Sequence, residues 1–322
     1  MRTAARVLVL LALLPIFGFA SAGAVEINFT TDFGFYGRHA YFYVALDKGY
    51  YKAEGLDVNI LRGQGSIDAV KKVASGVATV GFADAGALVA ARANDNIPVK
   101  LFAIVYKKPP HALFTLADSG IRKPKDLEGK TLADTAFSAI PIIFNQYAAL
   151  TGIDKSKVKW IAVDGSTMPV MLATGRADAV GQFTVGEPLL ASVASPKKVT
   201  RLAFKDAGLD YYGNGLVATE QTIRENPGML KAFARATLKG MRDAFANPAE
   251  AGTILNKYQK IISPQDGAAE TELVKELAIV PGQELGVIAP DGIRRTIEAF
   301  GKAYPLKTEV MPNDMFVPGF VE

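Results

Sequence analysis

Residues 26–61 read EINFTTDFGFYGRHAYFYVALDKGYYKAEGLDVNIL, and this stretch decides the fold. Residues 26–31 predict a strand, 39–49 a helix and 56–61 a second strand, with a glycine-flanked loop between the first two. Working outward, 66–75 and 86–94 predict helices, and 79–82 and 99–106 predict strands. Short apolar strands alternating with helices predict an α/β fold with mostly parallel sheets. Lys107-Lys108-Pro109-Pro110 interrupts the pattern, as a crossing between two lobes would. A second series follows, with strands at 111–117, 130–134, 158–163 and 179–183, and helices at about 139–151 and 168–174.

One small element recurs: GVATVG at 76–81 and GRADAV at 175–180. Each reads as a helix end, a glycine turn and a short buried strand, which suggests two similar halves. The clearest helix covers 227–246. Asn226 caps it, Pro227 suits its first turn, and Leu230, Phe233, Ala234, Thr237, Leu238, Met241 and Phe245 keep one face apolar. Residues 305–322 show little periodicity and predict an extended tail. The expected division is 1–24 as a signal peptide, 25–108 with 208–322 as one lobe, and 109–207 as the other.

The amino end reads as an export signal. Arg2 and Arg6 precede the apolar run 7–19, and small residues around Ala22 and Ala24 offer cleavage sites. At 13 residues, broken by Pro15 and Gly18, the run is short of the roughly 20 that a membrane span needs. Without Arg2 and Arg6 the net charge of +4 falls to about +2, with the charges mixed along the chain, so nucleic-acid binding has no support. The chain contains no cysteine and two histidines. These counts exclude a disulfide scaffold, an iron–sulfur cluster, a cysteine nucleophile, a three-histidine metal site and a cysteine-borne lipid anchor. No cofactor or metal is expected.

Several motifs imitate chemistry and fail. Gly63-Gln64-Gly65 lacks the third glycine of a dinucleotide fingerprint, since that position is Asp68. Gly129-Lys130-Thr131 ends like a phosphate loop, but Pro124 stands where its first glycine belongs and a strand follows. Asp32-Phe33-Gly34 copies a kinase triplet without the matching catalytic loop. No nucleophile–base pair can be named.

What remains is a binding surface. Residues 32–51 hold eight aromatics: Phe33, Phe35, Tyr36, Tyr41, Phe42, Tyr43, Tyr50 and Tyr51. Phe33, Phe35 and Tyr36 follow the carboxyl end of the first strand, where ligands bind in open α/β sheets, and could stack on a flat ring. Asp32, Arg38 and His39 flank them. Ser66 opens the next helix and Asp84 follows the third strand. Ser138, Thr167 and Glu187 hold comparable strand-end positions in the second half. Facing strand ends in two lobes make a cleft that can close on a small ligand.

Tyr43 to Val58 (YVALDKGYYKAEGLDV) resembles the Y-V-A-x-x-K-G-Y-F-x-x-E-G-L-D-V signature of the periplasmic substrate-binding proteins of ABC importers for nitrate, sulfonates, taurine and thiamine pyrimidines. Ile121 to Lys130 (IRKPKDLEGK), Gly175 to Val180, Glu187-Pro188, Tyr212-Gly213-Asn214, and Phe233 to Gly240 with Asn247 to Ala251 resemble further elements of that family. The resemblance implies a two-lobed type II periplasmic binding fold whose hinge is two crossing segments. His39 is in register with the histidine of the hydroxymethylpyrimidine-binding, thiamine-pyrimidine-synthase-like branch, although the Pro-Asn pair of that branch's first loop is absent. It implies a periplasmic, monomeric receptor that hands a small molecule to a membrane permease. Phe33, Phe35 and Tyr36 would stack on a planar heterocycle. Asp32, Asp84 and Glu187 would accept its N–H groups, His39 would donate or accept, and Asn214 would act near the hinge. An anionic ligand, such as a sulfonate, nitrate or carboxylate, would use Arg38, Ser66 and Ser138 instead. An enzyme like the thiamine-pyrimidine synthases, which use iron and a cysteine-rich motif, would lack its cysteines here. A sensor module presenting its ligand to a membrane receptor is the remaining alternative.

Overall fold

The strand–helix alternation resolves into two five-stranded sheets in a computed structural model that describes residues 23–321. The expected export signal lies outside the described residues as far as position 22. The strands are β1 (Val25–Thr30), β2 (Phe33–Gly34), β3 (Leu56–Leu61), β4 (Gly63–Gln64), β5 (Val80–Asp84), β6 (Val99–Ile104), β7 (His111–Leu116), β8 (Thr131–Asp134), β9 (Lys159–Ala162), β10 (Ala179–Phe183), β11 (Val199–Ala203) and β12 (Asn214–Thr219). One sheet has the order β3-β1-β5-β12-β6 and the other β11-β7-β10-β8-β9, while β2 and β4 form a small antiparallel ribbon.

Each sheet is parallel except for one strand. In the first, β12 runs antiparallel to β5 and β6; in the second, β7 runs antiparallel to β10 and β11. These are the strands laid down directly after the chain passes from one sheet to the other. Counted from that strand, both sheets have the same plan. The fourth strand of the set lies on one side, and the third, first and second lie on the other. Repetition seen in the sequence as two short glycine-led elements is therefore a repetition of whole sheets.

Both crossing segments lie side by side. The N–H groups of Val105 and Tyr106 donate to the Asn214 carbonyl at 2.9 and 2.8 Å, and Gly213 N–H donates to the Tyr106 carbonyl at 2.9 Å. Gly213 has no room for a side chain, because a Cβ there would meet Pro110 at 2.8 Å.

The first sheet is covered by the helix Ala40–Asp47 and the long helix Pro227–Ala246, whose apolar stripe faces inward. Gly240 lets the two approach, since a Cβ there would lie 2.5 Å from the Tyr41 carbonyl. Phe29 joins Phe42 and Phe233 at ring distances of 4.5 and 5.3 Å, so most of the aromatics in 41–51 are core. The tail departs from the expected extended form. It contains a short helix, Pro312–Met315, and buries Val310, Met315, Phe316 and Phe320, with Phe316 bridging to Leu101. Among the described residues no helix is long and apolar enough to cross a membrane.

Candidate functional site

The carboxyl ends of β1, β8 and β10 meet around a small cavity of about 10 Å³ between the sheets, closed down to the space of about one water molecule. Asp32, Phe33 and Arg38 wall it from one side, Asp134, Gln182 and Phe183 from the other. A wider outer part of about 240 Å³ opens toward solvent past Arg62, Phe137 and Asp164, and Phe33 lines both.

Asp32 organises the first wall. It is fully buried and accepts from His39 Nε2 at 2.7 Å, Asn214 Nδ2 at 2.9 Å and Arg38 Nη2 at 3.4 Å. Burial alone would raise its pKa, but the Arg38 charge and the His39 and Asn214 contacts outweigh it, and the carboxyl is held below its ordinary range. His39 accepts the Tyr36 N–H at Nδ1 (3.2 Å), so its proton is placed on Nε2, facing Asp32. Burial keeps the ring neutral, lowering its pKa despite the nearby carboxylate. Both Asp32 oxygens are thus occupied by protein donors. Its role is to hold Arg38 and His39 in place.

The Arg38 guanidinium, 1% exposed, lies among three rings: Tyr36 at 4.7 Å, Phe183 at 5.2 Å and Phe33 at 5.6 Å from their centres. Its Nη1 donates to Gln182 Oε1 at 3.2 Å and its backbone N–H donates to Glu270 Oε2 at 2.8 Å. Burial pushes the Glu270 carboxyl up to about 8. On the second wall, Asp134 is 2% exposed, and its Oδ1 accepts the Thr135 N–H at 2.7 Å. Burial pushes this carboxyl up to about 8, against the Thr135 N–H and the nearby Ser138 hydroxyl. Asp134 Oδ2, Gln182 Nε2, Arg38 Nε and Thr135 Oγ1 are buried without hydrogen-bond partners. Buried polar groups are rarely left so, and here four of them belong to one cleft.

The two walls are in contact. Tyr36 hydroxyl donates to the Gly165 carbonyl at 3.1 Å, and Ile67 N–H donates to the Phe137 carbonyl at 3.1 Å. Two glycines permit this approach. A Cβ on Gly165 would lie 2.5 Å from the Phe33 ring, and one on Gly65 would lie 2.2 Å from the Phe137 carbonyl.

The structure brings Asp32, Phe33, Tyr36, Arg38, His39 and Asn214 together and sets Ser66 and Ser138 at the cavity edge. Four sequence candidates lie elsewhere. Glu187 is half-exposed and pairs with Arg201 at 2.6 Å, away from the cavity. Thr167 is exposed and donates to the Asp164 carbonyl at 2.7 Å. Phe35 packs edge-on against Tyr43 at 6.4 Å. Asp84 caps the helix Ala85–Asp95, accepting from Gly86 and Ala87 N–H, and its other oxygen faces His111 Nε2 at 3.5 Å at the hinge. His111 Nδ1 meets the Tyr211 hydroxyl at 2.8 Å, so this chain joins both crossing segments to β5. Burial raises Asp84 to about 7 and lowers His111 to about 3.

Sequence reading missed Gln182, Phe183, Asp134 and Glu270. The first three end the strands predicted at 179–183 and 130–134, so the strand-end rule applied to the first lobe would have found them. Glu270 sits on the buried face of the helix Pro264–Ala278 with Gly267, Thr271 and Val274, a charged residue in an inward-facing position.

Residues 37–251 match the model of the family described as NMT1/THI5 like, and the chain belongs to that family. It is 29% identical over 221 residues to the formylaminopyrimidine-binding protein of Halalkalibacterium halodurans, covering 67% of this chain and 66% of that one. It is 28% identical over 225 residues to the riboflavin-binding protein RibY of Chloroflexus aurantiacus, covering 66% and 61%. A 4-amino-5-hydroxymethyl-2-methylpyrimidine phosphate synthase of Aspergillus parasiticus is 28% identical over 241 residues, covering 70% and 68%. The match thus spans 66% and 61% of the length of the two binding proteins, less than two thirds of each. The fold is that of solved periplasmic binding proteins. The ligand-binding component of an ABC-type import system from Staphylococcus aureus superposes with a TM-score of 0.71 at 12% identity, covering 92% of this chain and 97% of that one.

Proposed function

We propose that this chain is the solute receptor of an ABC importer, exported by its amino-terminal signal. It closes on a small planar heterocyclic or aromatic compound and presents it, as a monomer, to a membrane permease. The observation that carries this reading is the interlobe cavity. Its inner part is lined by the Phe33 and Phe183 rings, and the charge of the guanidinium there, Arg38, is already neutralised by Asp32. Flat rings in such a place favour a planar solute. A sulfonate, nitrate or carboxylate would need a free cation, and Arg38 is held by a carboxylate instead. Two relatives are named for a formylaminopyrimidine and for riboflavin, which supports the same solute class. A synthase activity is not part of the proposal. By the family resemblance it would use a cysteine-rich motif, and the chain contains no cysteine.

Native mass spectrometry of the purified protein, followed by identification of what denaturation releases, tests the reading. One small aromatic heterocycle per chain is the expected result. An inorganic or alkyl anion would overturn it.

A further inference from the structure

We propose that the cavity selects a solute bearing a positive charge on a planar nitrogen group, such as an amidinium or a protonated ring nitrogen, and that Asp134 receives its N–H. This rests on the reading of the cleft as a solute site and adds the charge of the solute.

Asp32 and Arg38 form one ion pair, 1% exposed on both sides. The other ionisable residue on the wall is Asp134, whose Oδ2 has no hydrogen-bond partner although the residue is buried. The carboxyl is built into the wall. Gly181 faces it, and a Cβ there would lie 2.2 Å from Oδ2, so glycine preserves the space it occupies. Gln182 Nε2, also unpartnered, adds a donor to the lining of the same cavity. Phe33 and Phe183 flank the same cavity, and their faces favour a flat cation as they favour Arg38. An anion would lose its hydration here without a counter-charge, since Arg38 is already paired with Asp32.

A buried carboxyl with no counter-charge keeps its proton, in line with the rise of Asp134 to about 8. When a cation arrives, the Asp134 O–H bond breaks, the proton passes to the solvent buffer, and the carboxylate pairs with the solute N–H. Binding therefore releases a proton at neutral pH.

Benzamidine, benzamide and benzoate share a flat outline and carry positive, no and negative charge. Titration calorimetry of the full chain with each, at pH 7 in two buffers of different ionisation enthalpy, tests the proposal. Benzamidine should bind about 10–100-fold tighter than benzamide, as a charge-assisted hydrogen bond predicts, with benzoate weakest and about one proton released per benzamidine. Asp134→Asn retains the carbonyl that accepts the Thr135 N–H and should abolish both the preference and the proton release. Gly181→Ala, which displaces Oδ2 without removing it, should weaken the preference. Equal affinity for the three probes, binding of none, or a preference that survives Asp134→Asn would overturn the assignment. Benzamide binding as well as benzamidine would leave the planar-solute reading standing. An alkyl anion recovered from the native complex would overturn that reading itself.

Discussion

Asp32→Asn tests whether the buried wall of the cleft is held by one carboxylate. In the native protein Asp32 accepts from His39, Asn214 and Arg38 at 2.7, 2.9 and 3.4 Å. Asparagine supplies one acceptor oxygen, and its amide then points N–H groups at a donor, whichever way it turns. Arg38 is left without a counter-ion at 1% exposure. Removing one partner of a buried pair costs about 3–5 kcal/mol. At about 2 °C per kcal/mol for a chain of this size, melting should fall by about 6–10 °C. Arg38→Met should be milder, because His39 and Asn214 still serve Asp32. In guanidinium unfolding, the double variant should cost less than the sum of the singles by about 1.5 kcal/mol or more. Additivity within about 0.5 kcal/mol would show that Asp32 and Arg38 do not depend on each other, and the account of this wall would fail.

Asp134 also predicts a pH dependence. Its folded-state pKa, about 8, lies above its ordinary value of 3.8, so the folded chain holds a proton that the unfolded chain has lost. Its contribution is complete below that ordinary value and lost as pH rises through the folded one. Asp134→Asn should therefore flatten the decline of melting temperature between about pH 5 and 8, and an unchanged slope would contradict the assignment. Gly165→Ala places a methyl against Phe33 and should hold the cleft open. We expect solute affinity to fall about tenfold or more with little loss of stability, and small-angle scattering to show no compaction on adding solute. Glu187→Ala should leave solute affinity unchanged, since the side chain pairs with Arg201 away from the cavity. A measurable loss in binding would place it in the site after all.

Local patterning made the architecture legible. The strand at 56–61, the strand at 179–183 and the helix at 227–246 match the structure at both ends, because apolar spacing and the Asn226-Pro227 and Asn247-Pro248 punctuation act within a few residues. The site was legible where it clusters in sequence. Asp32, Phe33, Tyr36, Arg38 and His39 form one loop. Gln182, Asn214 and Glu270 reach the same place from 144, 182 and 232 residues away, and no local signal pairs them with Asp32 or Arg38. Asp84 and Glu187 have the right residue type at the right strand end, but side-chain direction decided otherwise. Asp84 turns back to cap its own helix, and Glu187 turns outward to Arg201.

The position of β12 sets an order of assembly. It lies between β5 and β6, two strands that do not touch each other, yet it is made 110 residues after β6 ends. All strands of the other sheet, β7 to β11, are made in that interval without a break. The half of the molecule begun first on the ribosome is therefore completed last. A nascent chain that has not yet released residue 219 has a split first sheet, with inner edges open to wrong partners. Long-range pairing of this kind folds slowly.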